Sequence, residues 1–232
     1  MPLLIIVLSM PGLVRPCHAA QYNDFQTWWD ITTTYRFTDR FRYDGDLGTR
    51  GIVSNEPWTT AYVRPSARYD VRPWFLLHGG FAFFYTFRDF PGDVLELRPW
   101  IGFRFIWPKP GGFTISHYFR FEDRNTYSEF RDTWDHVVRV RYQIATKSPK
   151  FGVAGVENLY GVAGFEIFKD LRGQIFERFA NRSRLGGGLG KAFGRSFSAE
   201  MHYIYQSSVF FVKEGGRTDE HILRLRLSYT IK

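Results

Sequence analysis

The chain has 232 residues, enough for one all-β domain, with a formal net charge of +8. Charged residues make up 23%, mean hydropathy is −0.29, and past residue 20 no apolar run reaches the ~18 residues of a spanning helix. A helical membrane protein is thereby excluded, but not a β-barrel, in which half of every spanning strand is polar. The basic residues are mostly Arg spread along the whole chain, so nucleic acid is not an expected partner.

Residues 1–20 read as a secretory signal, with an apolar run from Leu3 to Met10, a Pro11-Gly12 break and a small-residue end at Ala19-Ala20. The run is preceded by no Lys or Arg. Cys17 is the single cysteine, and Arg15-Pro16 before it is a poor approach to a lipidation site. Removing the signal leaves a domain at 21–232 with no cysteine and hence no disulfide.

Gln21 to Gln26 reads as a polar lead-in. Side chains on a strand alternate faces, and the first clear alternation is Trp28 to Phe37, with Asp30, Thr32, Thr34 and Arg36 opposite Trp29, Ile31, Tyr35 and Phe37. Thr38 to Arg40 turns into Phe41 to Gly51, which carries Arg42, Asp44, Asp46 and Arg50 on one face. After a loop at 52–57, Trp58 to Tyr69 places Arg64 and Arg68 opposite Val63 and Tyr69. Its Pro65 marks a bulge or a poorly paired position. Trp74 to Arg88 has an apolar stripe through Leu77, Phe81, Phe83, Tyr85 and Phe87. Leu95 to Trp107 sets Glu96, Arg98 and Arg104 against Leu97, Ile101, Phe103 and Phe105.

Pro108 to Gly112 is a turn, and Phe113 to Arg124 follows as the clearest strand in the chain. Tyr118, Arg120, Glu122 and Arg124 share one face, and Phe113, Ile115, His117, Phe119 and Phe121 share the other. Asn125 to Arg131 reads as a polar loop. Trp134 to Ile144 carries Arg139 and Arg141, and Val153 to Phe168 is the least regular run. Phe179 to Ala192 puts Arg182, Arg184, Gly186, Gly188 and Gly190 on one face, narrowing the side chains there. Phe197 to Tyr205 carries Glu200 and His202, 212–219 reads as a loop, and His221 to Ile231 ends the chain with Arg224 and Arg226.

Eleven runs are visible. Barrels of this kind have even strand numbers, so the expectation is an antiparallel up-and-down transmembrane barrel of about 12 strands, with 10 as the alternative. A twelfth strand would lie in 151–179 or in the lead-in. Strands of ten to twelve residues suit a tilted crossing, and shorter turns alternate with longer polar loops. Aromatics make up 19% of the chain, too many for a small barrel interior if the apolar faces pointed in. The polar face therefore points inward, lined by Arg42, Arg64, Arg68, Arg98, Arg104, Arg120, Glu122, Arg124, Arg139, Arg141, Arg184, Glu200, Arg224 and Arg226. Paired with carboxylates, these arginines would rigidify and fill the lumen; unpaired, they would favour anions. Trp28, Trp29, Trp58, Trp74, Trp107 and Trp134 are expected at the membrane interfaces.

Catalytic signals are thin. Ser116 and His117 are adjacent and face opposite ways, and Ser198 lies about 13 Å along a strand from His202. The histidines are scattered, so neither a metal nor another cofactor is expected, and the chain is not read as an enzyme.

Several stretches resemble a family of bacterial outer-membrane β-barrels known mainly as a domain of unknown function. An early tryptophan followed by Y-R-F-T-D-R is matched by Trp29 to Arg40. An H-R-x-R-x-E-x-R strand is matched by His117 to Arg124, with Tyr118 in place of the first Arg. A late N-R-x-R-L-x-x-G-L-G is matched by Asn181 to Gly190, and a closing H-I-L-x-L-x-L-x-Y by His221 to Tyr229. The resemblance implies an outer-membrane location, with membrane lipid and the barrel-assembly machinery as partners, and it assigns no chemistry. The Ile231-Lys232 end departs from the aromatic end of many barrels. The functional expectation is a narrow anion-favouring pore or a plugged structural barrel. The alternatives are an outer-membrane lipid-modifying acyl hydrolase and a secreted soluble ligand-binding barrel.

Overall fold

The computed structural model describes residues 21–52, 58–89, 92–171, 181–209 and 217–231. The expected signal at 1–20, with Cys17, lies outside them, as do most of the expected loops at 52–57, 169–178 and 211–219.

The described residues form one sheet that closes on itself. Its first half comprises β1 (Gln21–Arg36), β2 (Phe41–Ile52), β3 (Trp58–Arg64), β4 (Ser66–Arg72), β5 (Phe75–Arg88), β6 (Val94–Ile106) and β7 (Thr114–Ser128). The second half comprises β8 (Thr133–Lys147), β9 (Phe151–Val153), β10 (Val156–Asp170), β11 (Asn181–Phe193), β12 (Phe197–Val209) and β13 (Arg217–Ile231).

β3 and β4 are halves of one stave, since both pair with β2 on one side and β5 on the other. They part at Pro65, which has no N–H for the ladder. The Phe81 N–H reaches the Pro65 carbonyl at 3.1 Å, and Gly80 makes the space: a Cβ there would stand 2.4 Å from that oxygen. β9 is a three-residue flap on β10, off the ring. The barrel of about twelve strands is thus an all-β ring of eleven staves.

An odd number of staves makes the first and last run the same way. β1 and β13 pair in parallel from Gln21↔Arg217 to Tyr35↔Ile231, and the other staves pair antiparallel. The lead-in expected at 21–26 belongs to this seam. It is strand, and Gln26 Nε2 donates to the buried Glu220 Oε1 at 2.7 Å. Likewise β7 continues to Ser128 through the expected loop at 125–131, leaving a connection at 129–132, and β13 begins at Arg217.

The polar faces point inward and the apolar faces outward. Trp29, Ile101 and Leu185 are 56–63% exposed, whereas Asp30, Glu122 and Arg139 are buried. From Phe113, just before β7, to Phe121 the outward face is mostly apolar, about 27 Å of chain and about 20 Å of height at a normal barrel tilt. Beyond it the outer face turns polar, where His136 meets Asp123, and then aromatic, where Tyr127 packs on Trp134 at 5.4 Å. Trp74 and Phe105 stack at 6.3 Å near the opposite rim. Trp29, Trp74, Trp107 and Trp134 are exposed outside, but Trp28 and Trp58 are not interfacial: Trp28 is 3% exposed, and both face the interior. Their positions share the parity of Asp30 and Thr60, and that parity decides the face.

Candidate functional site

The inner faces enclose a cavity of about 1460 Å³. It is lined from Thr114 and Lys147, beside the rim where β1 turns into β2, to Asp89 and Asp135 at the other rim. Basic side chains along it outnumber acidic ones about two to one among the described residues. Arg64, Arg68, Arg98, Arg104, Arg120, Arg124, Arg139, Arg141, Arg184, Glu200, Arg224 and Arg226 all line it. Arg42 instead pairs with Asp70 at 2.9 Å, and Glu122 lies behind the lining, 1% exposed.

Glu122 is the centre of the charged wall. Register brings Glu122 opposite Arg139 and Arg120 opposite Arg141, so unlike charges meet directly or diagonally across β7 and β8. Arg120 Nη2 is 2.5 Å from Glu122 Oε1, and Arg139 Nε donates to Oε2 at 2.9 Å. Arg98 and Arg141 complete the ring at 3.4 and 4.0 Å. Four guanidiniums thus surround one carboxylate. Glu96 takes two bonds from Arg124 at 2.8 and 3.0 Å and one from Arg98 at 2.7 Å. Glu166 bridges Arg141 and Arg184, Asp46 holds Arg64, and Asp30 takes Arg224 and the Tyr62 hydroxyl. Near the turn rim Glu200 accepts from Tyr160 at 2.9 Å and lies 3.0 Å from His202 and 3.8 Å from Arg226. Buried acids and arginines are thereby matched by geometry, as buried charge requires.

Aromatic rings fill the gaps between these pairs. The Arg50, Arg184 and Arg224 guanidiniums lie 4.2, 5.0 and 5.7 Å from the Trp28 ring. Phe168 receives Arg184, Arg139 and Arg141 at 4.7, 5.0 and 5.3 Å. Arg184, on β11, therefore sits between a ring on β10 and a ring three staves away on β1, and narrows the lumen there. Arg50 and Trp28 are among the lining residues the sequence reading left out, as are Arg88, Lys147 and Arg182. Their strand parity carried the signal; the tryptophan's usual interfacial role obscured it.

The structure also joins a serine and a histidine that no single strand reveals. Ser66 and His78 sit on neighbouring staves, with Ser66 Oγ 3.0 Å from His78 Nε2. The Ser66 hydroxyl donates its one proton to the Asp44 carbonyl, so His78 Nε2 must be the donor to Ser66. His78 Nδ1 then accepts from the Tyr118 hydroxyl at 3.2 Å. In this tautomer the imidazole offers Ser66 no free lone pair, so the pair braces β4 against β5 and is not set up as a nucleophile and base.

No curated protein and no solved structure matches the chain. The stretches that carry the sequence resemblance supply the centre of the lumen, namely Arg120, Glu122 and Arg124 from β7 and Arg184 from β11. A family profile matches residues 25–231, and on that match the chain belongs to the family described as protein of unknown function (DUF2490).

Proposed function

We propose that the chain is an outer-membrane β-barrel whose lumen is a narrow passive pore favouring small anions. The observation that carries this reading is a single cavity lined from one rim to the other, with basic groups in about twofold excess. Fixed positive charge in a narrow low-dielectric passage lowers the cost of an anion and raises that of a cation. The membrane placement is supported by the outward apolar band, the aromatic side chains near both rims and the signal-like first twenty residues. Membrane lipid and the barrel-assembly machinery are then its partners, and its role is not enzymatic, in keeping with the bracing geometry of Ser66 and His78.

The test is single-channel conductance of the purified barrel in planar bilayers under a salt gradient. Steady conductance with a reversal potential on the anion side is expected. A silent bilayer would sink the pore reading and favour a plugged structural barrel, for which the placement of Arg184 between Trp28 and Phe168 is the specific support.

A further inference from the structure

We infer that the lumen holds two binding stations for small inorganic anions, Arg50 near one rim and Arg104 near the other. The inference rests on the barrel reading above and names the sites within that passage. Most lumenal arginines are spoken for by carboxylates, but these two stand apart. Arg50 lies on the faces of Trp28 and Tyr62 at 4.2 and 4.7 Å, and its Nε is buried with no hydrogen-bond partner. Arg104 lies on the face of Tyr118 at 4.7 Å, and its Nε is likewise without a partner. Both line the cavity.

The carboxylates around them are already engaged. Beside Arg50, Asp30 is held by Arg224 and Tyr62, and Asp46 by both Nε and Nη2 of Arg64. Beside Arg104, Asp44 accepts from Thr34 at 2.8 Å and from Arg68 at 3.4 Å. Each site therefore keeps one surplus positive charge. A guanidinium held over an aromatic ring by its central carbon makes no hydrogen bond there, so its N–H groups stay available to an anion. The donors are organised before the ligand arrives.

The two stations sit at different depths. Arg50 is two residues from the end of β2 at the loop rim, and Arg104 two residues from the end of β6 at the turn rim. Strand rise and tilt put them about 15–20 Å apart along the axis, with the Glu122 ring between. Two sites in series suit conduction, because an anion entering one weakens the hold on an anion in the other.

The experiment measures conductance of the full barrel against potassium chloride concentration, with Arg50→Gln, Arg104→Gln and the double variant. Arg50→Lys and Arg104→Lys keep the charge and guard against loss of folding, which heat-modifiable gel mobility monitors. Wild type should saturate, each Gln variant should raise the half-saturating concentration at least threefold, and the double variant should lose saturation. Folded Gln variants that conduct and saturate like wild type would overturn the stations and leave the pore standing. If wild type is silent, the pore reading falls and the stations are judged by iodide quenching in detergent. Trp28, and Trp100 beside Tyr118 and His78, are the reporters, isolated by Trp28→Phe and Trp100→Phe. A threefold weaker quenching of each reporter in the matching Gln variant would uphold the sites in a closed lumen; unchanged quenching would overturn them.

Discussion

The wall made by β6, β7 and β8 and the wall made by β10 and β11 present different materials to the lumen. The first carries Glu96, Arg98, Arg120, Glu122, Arg124 and Arg139, all buried in mutual pairing. The second is thin. A row of direct cross-strand neighbours runs from Ala145 at the far end of β8 through Gly164 and Gly186 to Ile204 on β12, and each of these lines the cavity. Charge pairs thicken one side of the lumen, and small residues leave room along this row on the other. The same device recurs where Gly190 faces Tyr160, whose ring would stand 2.4 Å from a Cβ at that glycine. Backbone space on one stave is filled by a ring from the next.

The largest effect comes from breaking the charged wall at its centre. Glu122→Gln leaves four arginines around a neutral side chain, and breaking a buried pair of this kind costs about 3–5 kcal/mol. The midpoint of urea unfolding in detergent should fall accordingly. Thickening the opposite wall costs less: Gly190→Val drives a branched side chain into the Tyr160 ring and should lower stability by about 1–3 kcal/mol in the same assay. Ala145→Trp sharpens the contrast without touching a charge pair. It should at least halve single-channel conductance while shifting stability by about 1 kcal/mol or less, because the ring enters open lumen.

The smallest effect lies outside both walls, at Asp93. Its carboxylate is held below the ordinary range by the Arg88 backbone N–H and the Tyr85 hydroxyl. A lowered folded-state pKa means this support is present above the unfolded pKa and is lost as pH falls through the folded one. Asp93→Ala should speed amide exchange at Arg88 at neutral pH, and the difference from wild type should vanish in acid.

Period-two alternation made the inner and outer faces legible along nearly every strand, and with them most of the lumen lining. Strand ends were less legible. At the rim beyond the apolar band the outer face mixes polar residues with single aromatics such as Phe25 and Tyr127, so Gln21 to Gln26 and Asn125 to Ser128 carry little amphipathic signal although the backbone ladder continues through them. The ring of eleven staves agrees with an expected count of about twelve, and the parallel seam is what the even-number rule, which assumes antiparallel closure, leaves unseen. The two unpaired arginines and the bracing of Ser66 by His78 depend on register between staves, which no single strand records. Arg50 looks on its own strand like any other lumenal arginine. Only the prior commitments of Asp30 and Asp46 leave it unpaired.

The parallel seam has a consequence for how this chain can be handled. Because β1 and β13 run side by side in the same direction, Gln21 and Ile231 emerge at opposite rims. A barrel with an even number of staves can be cut at any hairpin and its ends rejoined by a short turn. Here a linker from Ile231 back to Gln21 would have to travel the full height of the barrel, through the lumen or along the apolar outside. Circular permutants that join Ile231 to Gln21 should therefore be refused, while labels placed at these two residues would report the two rims independently.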